Sequence, residues 1–421
     1  MPPCVYLDTA RMGRISPTAR AIHIDYLKFA AQQGGSEAML DLLVGGGQAW
    51  PRRLRKRFPV LAGWEGVSGL KQRLRRVAGV NGADLSNVLF ASRSRTLMRL
   101  AAQLLFRSCS TVVTADVGWP PYQLLLRDVG AELGGRVVEV PLLEMIRKGA
   151  GGGAIVDRLT AAFGRSQAAG LFLPSISHDG IRLPVRAIID ALAAMGRLPF
   201  VAIDGAQDLA HGDWALAEMN CDFYFAGAHK WLRGCFPLGV GLWGQPRSRQ
   251  MIAATIEESG ETGLLEDPLA RFTFQLEGGA LDGVTETVNL SALLSAHGAM
   301  VDVLRLPPRG ETFAVQLANR EAIRRVARRA GWEVVATNPE LRCGIVMLRS
   351  PVIAAHDGDL RRQLERQGVV ATAYPTGEVR LSMPRRILGL QELATVGRAL
   401  ATARIHRGQR AGHDLLNRQA P

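Results

Sequence analysis

Continuous apolar runs bounded by Gly, Pro or Asp recur along the first two-thirds of the chain, and this rhythm restricts the fold more than any other feature. The runs occupy residues 111–114, 136–140, 170–173, 200–203, 222–225 and 239–243. A strand with apolar residues on both faces has to be covered on both faces. Between several of these runs, as at 122–133 and 185–195, Leu, Ile and Ala recur at helical spacing. Strand–helix alternation predicts an α/β fold with a mostly parallel sheet.

After about residue 275 the pattern changes. A helical stretch at 290–306 ends at Pro307 and Pro308, and a second helix is expected near 313–330. Short strands then follow at 332–336, 344–348, 369–373 and 378–382, as in a smaller α+β unit. We therefore divide the chain into a large domain (20–275), a small domain (1–19 with 276–405) and a tail (406–421). With 421 residues, 47% of them apolar, and a mean hydropathy of +0.06, the chain has ample material for a core and is neither disordered nor fibrous.

The net charge of +13 raises the question of an anionic partner. Only Arg52, Arg53, Arg55, Lys56 and Arg57 form a tight cluster, and the remaining basic residues are scattered. That distribution argues against a nucleic-acid interface, and anionic small molecules fit it equally well. Lysine is scarce: five of the 51 basic residues are Lys28, Lys56, Lys71, Lys148 and Lys230. The five cysteines are far apart, with no Cys-x-x-Cys pair, so neither a disulfide framework nor a metal site is expected. The N-terminus lacks the features of a secretion signal, and no apolar run approaches the ~18 residues of a membrane span. A soluble, cytoplasmic protein is expected.

The chemistry concentrates in two segments, 200–207 and 222–232. Ligands of open α/β sheets bind beyond the carboxyl ends of strands, and Asp204 and Lys230 each stand just past an apolar run. An amine able to form a Schiff base and an acid able to keep a pyridine nitrogen protonated are what pyridoxal phosphate chemistry requires.

Asp204-Gly205-Ala206-Gln207, the following His211, His229-Lys230-Trp231-Leu232 and the strand through Gly239 and Gly241 resemble the class V aminotransferases of pyridoxal-phosphate fold type I. That family includes cysteine desulfurases and isopenicillin N epimerase-like enzymes. The resemblance reaches both ends of the chain, through Tyr6-Leu7-Asp8-Thr9-Ala10 and Val379-Arg380-Leu381-Ser382. It implies Lys230 as the Schiff-base lysine, Asp204 as the ring-nitrogen partner, Gln207 at the phenolic oxygen and His229 beside the phosphate. By the same resemblance, Ser94 and Arg95 (or Arg93) fall in the phosphate loop, Trp119 over the ring, and Ser177 or its neighbour His178 near the phenolic oxygen. Arg380 falls at the substrate carboxylate, and Thr287 at the phosphate of a neighbouring subunit, which implies a homodimer with shared active sites.

The sequence departs from the family at three places. Arg93, Ser94 and Arg95 replace small residues of the phosphate loop, Gly227-Ala228-His229-Lys230 lacks a hydroxyl usual before the histidine, and Glu286 replaces a glycine. No cysteine lies between Ser350 and Ser382, which disfavours the persulfide chemistry of desulfurases. Aminotransfer on an α-amino acid or amino-acid conjugate is the first expectation, with Cβ elimination or epimerisation second. A non-catalytic, basic regulatory relative is the contrasting alternative, and the pairing of Lys230 with Asp204 argues against it.

Overall fold

The computed structural model describes residues 4–34, 36–80, 87–197, 199–243, 245–261, 267–277, 288–350 and 357–403. Its main sheet has seven strands: β2 (Val88–Ala91), β3 (Thr111–Ala115), β4 (Arg136–Val140), β5 (Gly170–Pro174), β6 (Phe200–Asp204), β7 (Phe223–Gly227) and β8 (Gly239–Leu242). Their spatial order is β2-β8-β7-β6-β5-β3-β4. Neighbours from β7 to β4 are parallel, whereas β8 is antiparallel to both β7 and β2. Every residue of β2, β3, β5, β6, β7 and β8 is buried, as both-face coverage requires. The expected α/β fold is present, and the apolar runs lie within a residue or two of the strands.

This topology prepares a site. The carboxyl ends of β2, β3, β5, β6 and β7 share one sheet edge, and reversal of β8 brings its first residue there as well. Gly239 pairs with Gly227 on one side and Ala91 on the other.

A second sheet runs β12-β13-β10-β9, with β9 (Glu333–Val334), β10 (Ile345–Arg349), β12 (Thr372–Ala373) and β13 (Glu378–Ser382) all antiparallel. The N-terminal strand β1 (Val5–Tyr6) pairs in parallel with β11 (Val369–Val370). The run at 369–373, expected as one strand, is therefore split between two sheets. Beyond β1, Ser382 N–H donates to Leu7 O (2.7 Å) and Ala10 N–H to Ser382 Oγ (3.0 Å), so the two terminal motifs meet.

The helix Leu290–Leu304 lies along the helix Pro17–Gln33. Gly298 permits the approach, since a Cβ there would lie 2.7 Å from Ala19 Cα. Asp302 clamps the pair by accepting from Thr18 N (2.9 Å) and Thr18 Oγ1 (2.6 Å). A small apolar cluster of Ala10, Ile176, Trp231, Phe313, Cys343 and Ile345 joins the two sheets beneath the site. Thr287 and the tail 406–421 lie outside the described residues.

Candidate active site

Asp204 ends β6 with its carboxyl group buried, and its Oδ1 accepts from Ala206 N (2.9 Å). Burial raises its pKa, while Lys230 and the Ala206 N–H favour the charged form and His178 adds a smaller pull the same way. Lys230 lies three residues beyond β7 and is half-buried. Burial pulls its amine down to about 8; Asp204 opposes that, and Arg380 reinforces it. Lys230 thus lies within electrostatic reach of both Asp204 and Arg380, although the three come from distant parts of the sequence. The Trp119 ring centroid stands 6.0 Å from Lys230 Nζ, and the indole is 44% exposed, so it forms an outer wall.

An anion-binding arrangement faces these groups. The helix Ser94–Ser108 begins just after β2 with no side-chain cap at Arg93. Thr96 N turns back to Arg93 O (3.1 Å), and among the described residues no acceptor meets the N–H groups of Ser94 and Arg95. Free N–H groups at the positive end of a helix dipole attract anions. The buried Nδ1 of His229 has no hydrogen-bond partner, and burial lowers this imidazole to about 4, leaving it neutral at pH 7. Two glycines hold the cradle open. A Cβ on Gly227 would lie 2.9 Å from His229 Cε1, and one on Gly239 would lie 2.7 Å from Arg93 O and 2.9 Å from Ser94 N.

Tyr122 and Asp267 support this helix start without having been marked by the sequence. Tyr122 Oη donates to Ser94 Oγ (2.9 Å), and burial keeps the phenol protonated by raising its pKa. The buried Asp267 carboxylate accepts from Ser92 N (2.9 Å), Ser92 Oγ (3.1 Å) and Thr96 Oγ1 (3.1 Å). The signal for Tyr122 was submerged in the apolar spacing of its helix, Pro120–Glu132. The side chains of Arg93 and Arg95 are exposed.

The remaining residues singled out from the sequence take varied places. Arg380 is buried on β13; it donates Nη1–H to His178 O (3.1 Å) and Nη2–H to Thr372 Oγ1 (3.3 Å), and its buried Nε has no partner. Gln207 gives Nε2–H to Ala10 O (2.8 Å) and accepts Trp231 Nε1–H at Oε1 (2.8 Å), tying the N-terminal segment to the lysine loop. Ser177 Oγ accepts from Ile181 N (3.0 Å) and closes a turn through Gly180, whose φ is 84°. His178 Nε2 lies 3.0 Å from Asp179 Oδ1, and the residue is within electrostatic reach of Asp204.

His211 sits between the two sheets. Its Nδ1 lies 2.6 Å from Gln207 O, its Nε2 accepts from Gly344 N (3.1 Å), and its ring stacks on Trp231 with centroids 3.7 Å apart. These partners require Nδ1–H as donor and Nε2 as acceptor, the neutral tautomer. Cys343 is buried with Sγ 3.3 Å from Gly180 O, and burial pushes its thiol up to about 11, far from the condition of a reactive thiolate.

A parallel sheet with its site at the carboxyl edge and a small sheet closing beside it is the type I fold of pyridoxal-phosphate enzymes. Solved structures share it across nearly the whole chain. A cysteine desulfurase from Thermococcus onnurineus NA1 superposes with a TM-score of 0.66 at 14% identity, covering 94% of each chain. The cysteine desulfurase CsdA from Escherichia coli gives 0.65 at 14% identity over 95% of this chain and 94% of its own. The cystine C-S lyase C-DES, solved with cysteine persulfide, gives 0.67 at 13% identity over 94% and 97%.

In sequence, residues 68–262 match the aminotransferase class-V family, so the resemblance read from the motifs holds over that segment. A stretch of 88 residues is 34% identical to isopenicillin N epimerase from Amycolatopsis lactamdurans, and the chain spans about a fifth of that relative's length in the match, 21% of each protein. Class V aminotransferases are pyridoxal-phosphate enzymes. Among the described residues no helix is long and apolar enough to cross a membrane.

Proposed function

We propose that this chain is a pyridoxal-phosphate enzyme that transfers the amino group of an α-amino acid or amino-acid conjugate. The observation that carries the reading is the meeting of Asp204, Lys230 and Arg380 opposite an uncapped helix start. The residues suit the cofactor. The buried polar atoms His229 Nδ1 and Arg380 Nε lack partners, a costly condition that an anionic ligand and a substrate carboxylate would relieve. Gly227 and Gly239 leave room where a Cβ would intrude.

In this reading the N–H groups of Ser94 and Arg95, with Ser94 Oγ and His229, hold the phosphate. Asp204 accepts a hydrogen bond from the ring nitrogen and keeps it protonated, Trp119 covers the ring, and the second amide hydrogen of Gln207 is available to the phenolic oxygen. His178 or Ser177 lies on the same side. Bound there, the cofactor supplies an electron sink for the substrate Cα. Lys230, with a pKa of about 8, has a neutral amine fraction near physiological pH and so can serve as nucleophile and then carry a proton at Cα. The fork of Arg380 fixes the substrate carboxylate by two parallel hydrogen bonds. Thr287 of a second copy would complete the phosphate site in a homodimer. We place the protein in the cytoplasm, with residues 1–19 and 276–405 closing over 20–275.

The segment 34% identical to an epimerase favours epimerisation as the second reading. An absorbance spectrum tests the common basis: the wild type is expected to show the visible band of lysine-bound cofactor, and Lys230→Ala to lose it. A wild type that takes up no added pyridoxal phosphate overturns the proposal. With amino acids supplied, a 2-oxo acid without free ammonia marks aminotransfer, and inversion at Cα marks epimerisation. A 2-oxo acid with equal free ammonia marks elimination.

A further inference from the structure

We propose a second binding site, for a small oxyanion of two or more negative charges, in the cavity beneath the loop that follows Lys230. It is separate from the sheet-edge site and does not rest on the function proposed there. The cavity, about 350 Å³, lies between the N-terminal segment, residues 231–233 and the chain after β13. Arg14, Arg233, Arg385 and Arg386 line it together with one acid, Glu392. That acid is already taken: Arg386 holds both its oxygens, at 2.6 and 2.7 Å, and Gly389 N–H adds a third bond at 3.0 Å.

Three guanidiniums remain with no carboxylate at ion-pair distance among the described residues. Asp302 lies within electrostatic reach of Arg233 but is engaged by Thr18. The contacts these arginines do make are to neutral groups. Arg233 Nε–H donates to Arg14 O (2.8 Å), Arg14 Nη2–H to Cys4 Sγ (2.8 Å), and Arg385 Nη2 to the carbonyls of Ala210 and Trp231. Each fork keeps further N–H donors, and like charges gathered in one hollow repel unless an anion joins them. Burial and the nearby Arg233 bring even Arg385 down to about 10.

The backbone is held for this arrangement. Arg233 has φ 68°, in the left-handed region that a residue with a Cβ seldom adopts, and such strain gathers at functional sites. Gly13 presses against the same loop, where a Cβ would lie 2.1 Å from Lys230 O and 2.9 Å from Arg233 Cγ. Val5, Leu306, Leu388 and Trp231 supply apolar wall, so a phosphate ester or a polycarboxylate with a short carbon frame fits. Because Arg385 donates to Trp231 O, the occupant would bear on the loop that carries Lys230.

Calorimetric titration of the full chain at low ionic strength tests this, with inorganic phosphate in one arm and citrate in the other. Saturable binding of at least one is expected, weakened tenfold or more by Arg14→Gln and by Arg233→Asn, a residue that tolerates the left-handed conformation. Ser94→Ala should weaken only an event at the sheet-edge helix start and leave the event that the arginine substitutions remove, and the tighter arm of that event identifies phosphate ester or polycarboxylate. Absence of saturable binding in both arms overturns the proposal. So does binding all of which survives both arginine substitutions, or all of which falls with Ser94→Ala and not with Arg233→Asn. Melting curves of each variant, taken first, ensure that folded protein is compared; Arg14 is exposed, so its replacement leaves the core untouched.

Discussion

The amine of Lys230 offers the sharpest test of the sheet-edge geometry, because its two charged neighbours push in opposite directions. At pH 7 a lysine with a pKa of about 8 is neutral in about one molecule in ten, against about one in three thousand at 10.5, a gain of about 300-fold in reactive amine. Only the neutral amine attacks a carbonyl, so uptake of pyridoxal phosphate by cofactor-free protein should rise with pH and level off above about 8. Arg380 disfavours the ammonium; in Arg380→Gln the midpoint should move up towards 10.5, and uptake at pH 7 should fall. Asp204 favours the ammonium; in Asp204→Asn the midpoint should move down. The assay follows the growth of visible absorbance from pH 6.5 to 10 (a range of about three to four units around the midpoint), with each variant scaled to its own high-pH plateau. Scaling separates the titration from any loss of affinity. Midpoints that move together, or that stay fixed in both variants, would refute the convergence of residues 204, 230 and 380 on one amine.

Three further outcomes are expected. Gly239→Val should displace the start of the helix Ser94–Ser108, because its Cβ would meet the Arg93 backbone at 2.7 Å; overpacking of this kind costs about 1–3 kcal/mol, read as a lower melting temperature with weaker cofactor retention. Tyr122→Phe keeps the ring packing and removes the bond to Ser94 Oγ, so cofactor affinity should fall by a factor of about 2–10, the equivalent of about 0.5–1.5 kcal/mol, with little change in melting. His211, held neutral with a pKa of about 3, makes the fold sensitive to acid. Its folded value lies below the unfolded 6.5, so the full stability is present above pH 6.5. As pH falls towards 3 the unfolded chain binds the extra proton, and stability drops by about 1.4 kcal/mol per pH unit. Urea midpoints between pH 7 and 4 should include that slope, and His211→Gln should remove its share, leaving the part due to His229 and His297, which burial lowers to about 4.

Most of the large sheet was legible because its strands other than the edge strand β4 are buried on both faces: 200–203 fell one residue short of Asp204, and 136–140, like 378–382 in the small sheet, was read at the bounds observed. Strand direction was not legible. Reversal of β8, which brings Gly239 between Gly227 and Ala91, depends in part on its pairing with β2, a segment far away in sequence. β2, only four residues long, is not among the apolar runs read from the sequence, and the segment that follows it was placed by the resemblance alone, in the phosphate loop. The run at 369–373 also misled, since apolar pattern cannot say that one stretch will serve two sheets. Among the site residues, Asp204 and Lys230 could be found from strand ends alone. Tyr122, Asp267 and the guanidinium cavity could not, because each is defined by partners more than twenty residues away.

Gln207 does work in the fold that the motif around it does not announce. Its amide oxygen receives Trp231 Nε1–H and its nitrogen reaches Ala10 O, so the side chain joins the loop after Lys230 to the N-terminal segment. Ala10 is in turn fixed through Ser382 Oγ, two residues from Arg380, and Trp231 O is held by Arg385. One connected set of hydrogen bonds therefore links the segments that carry Asp204, Lys230 and Arg380. Such a network has few ways to adjust, since an unmade bond to a buried amide costs about 1–3 kcal/mol. The small sheet is thereby positioned by the same contacts that position Lys230, and a ligand in the guanidinium cavity would act on that network at Arg385.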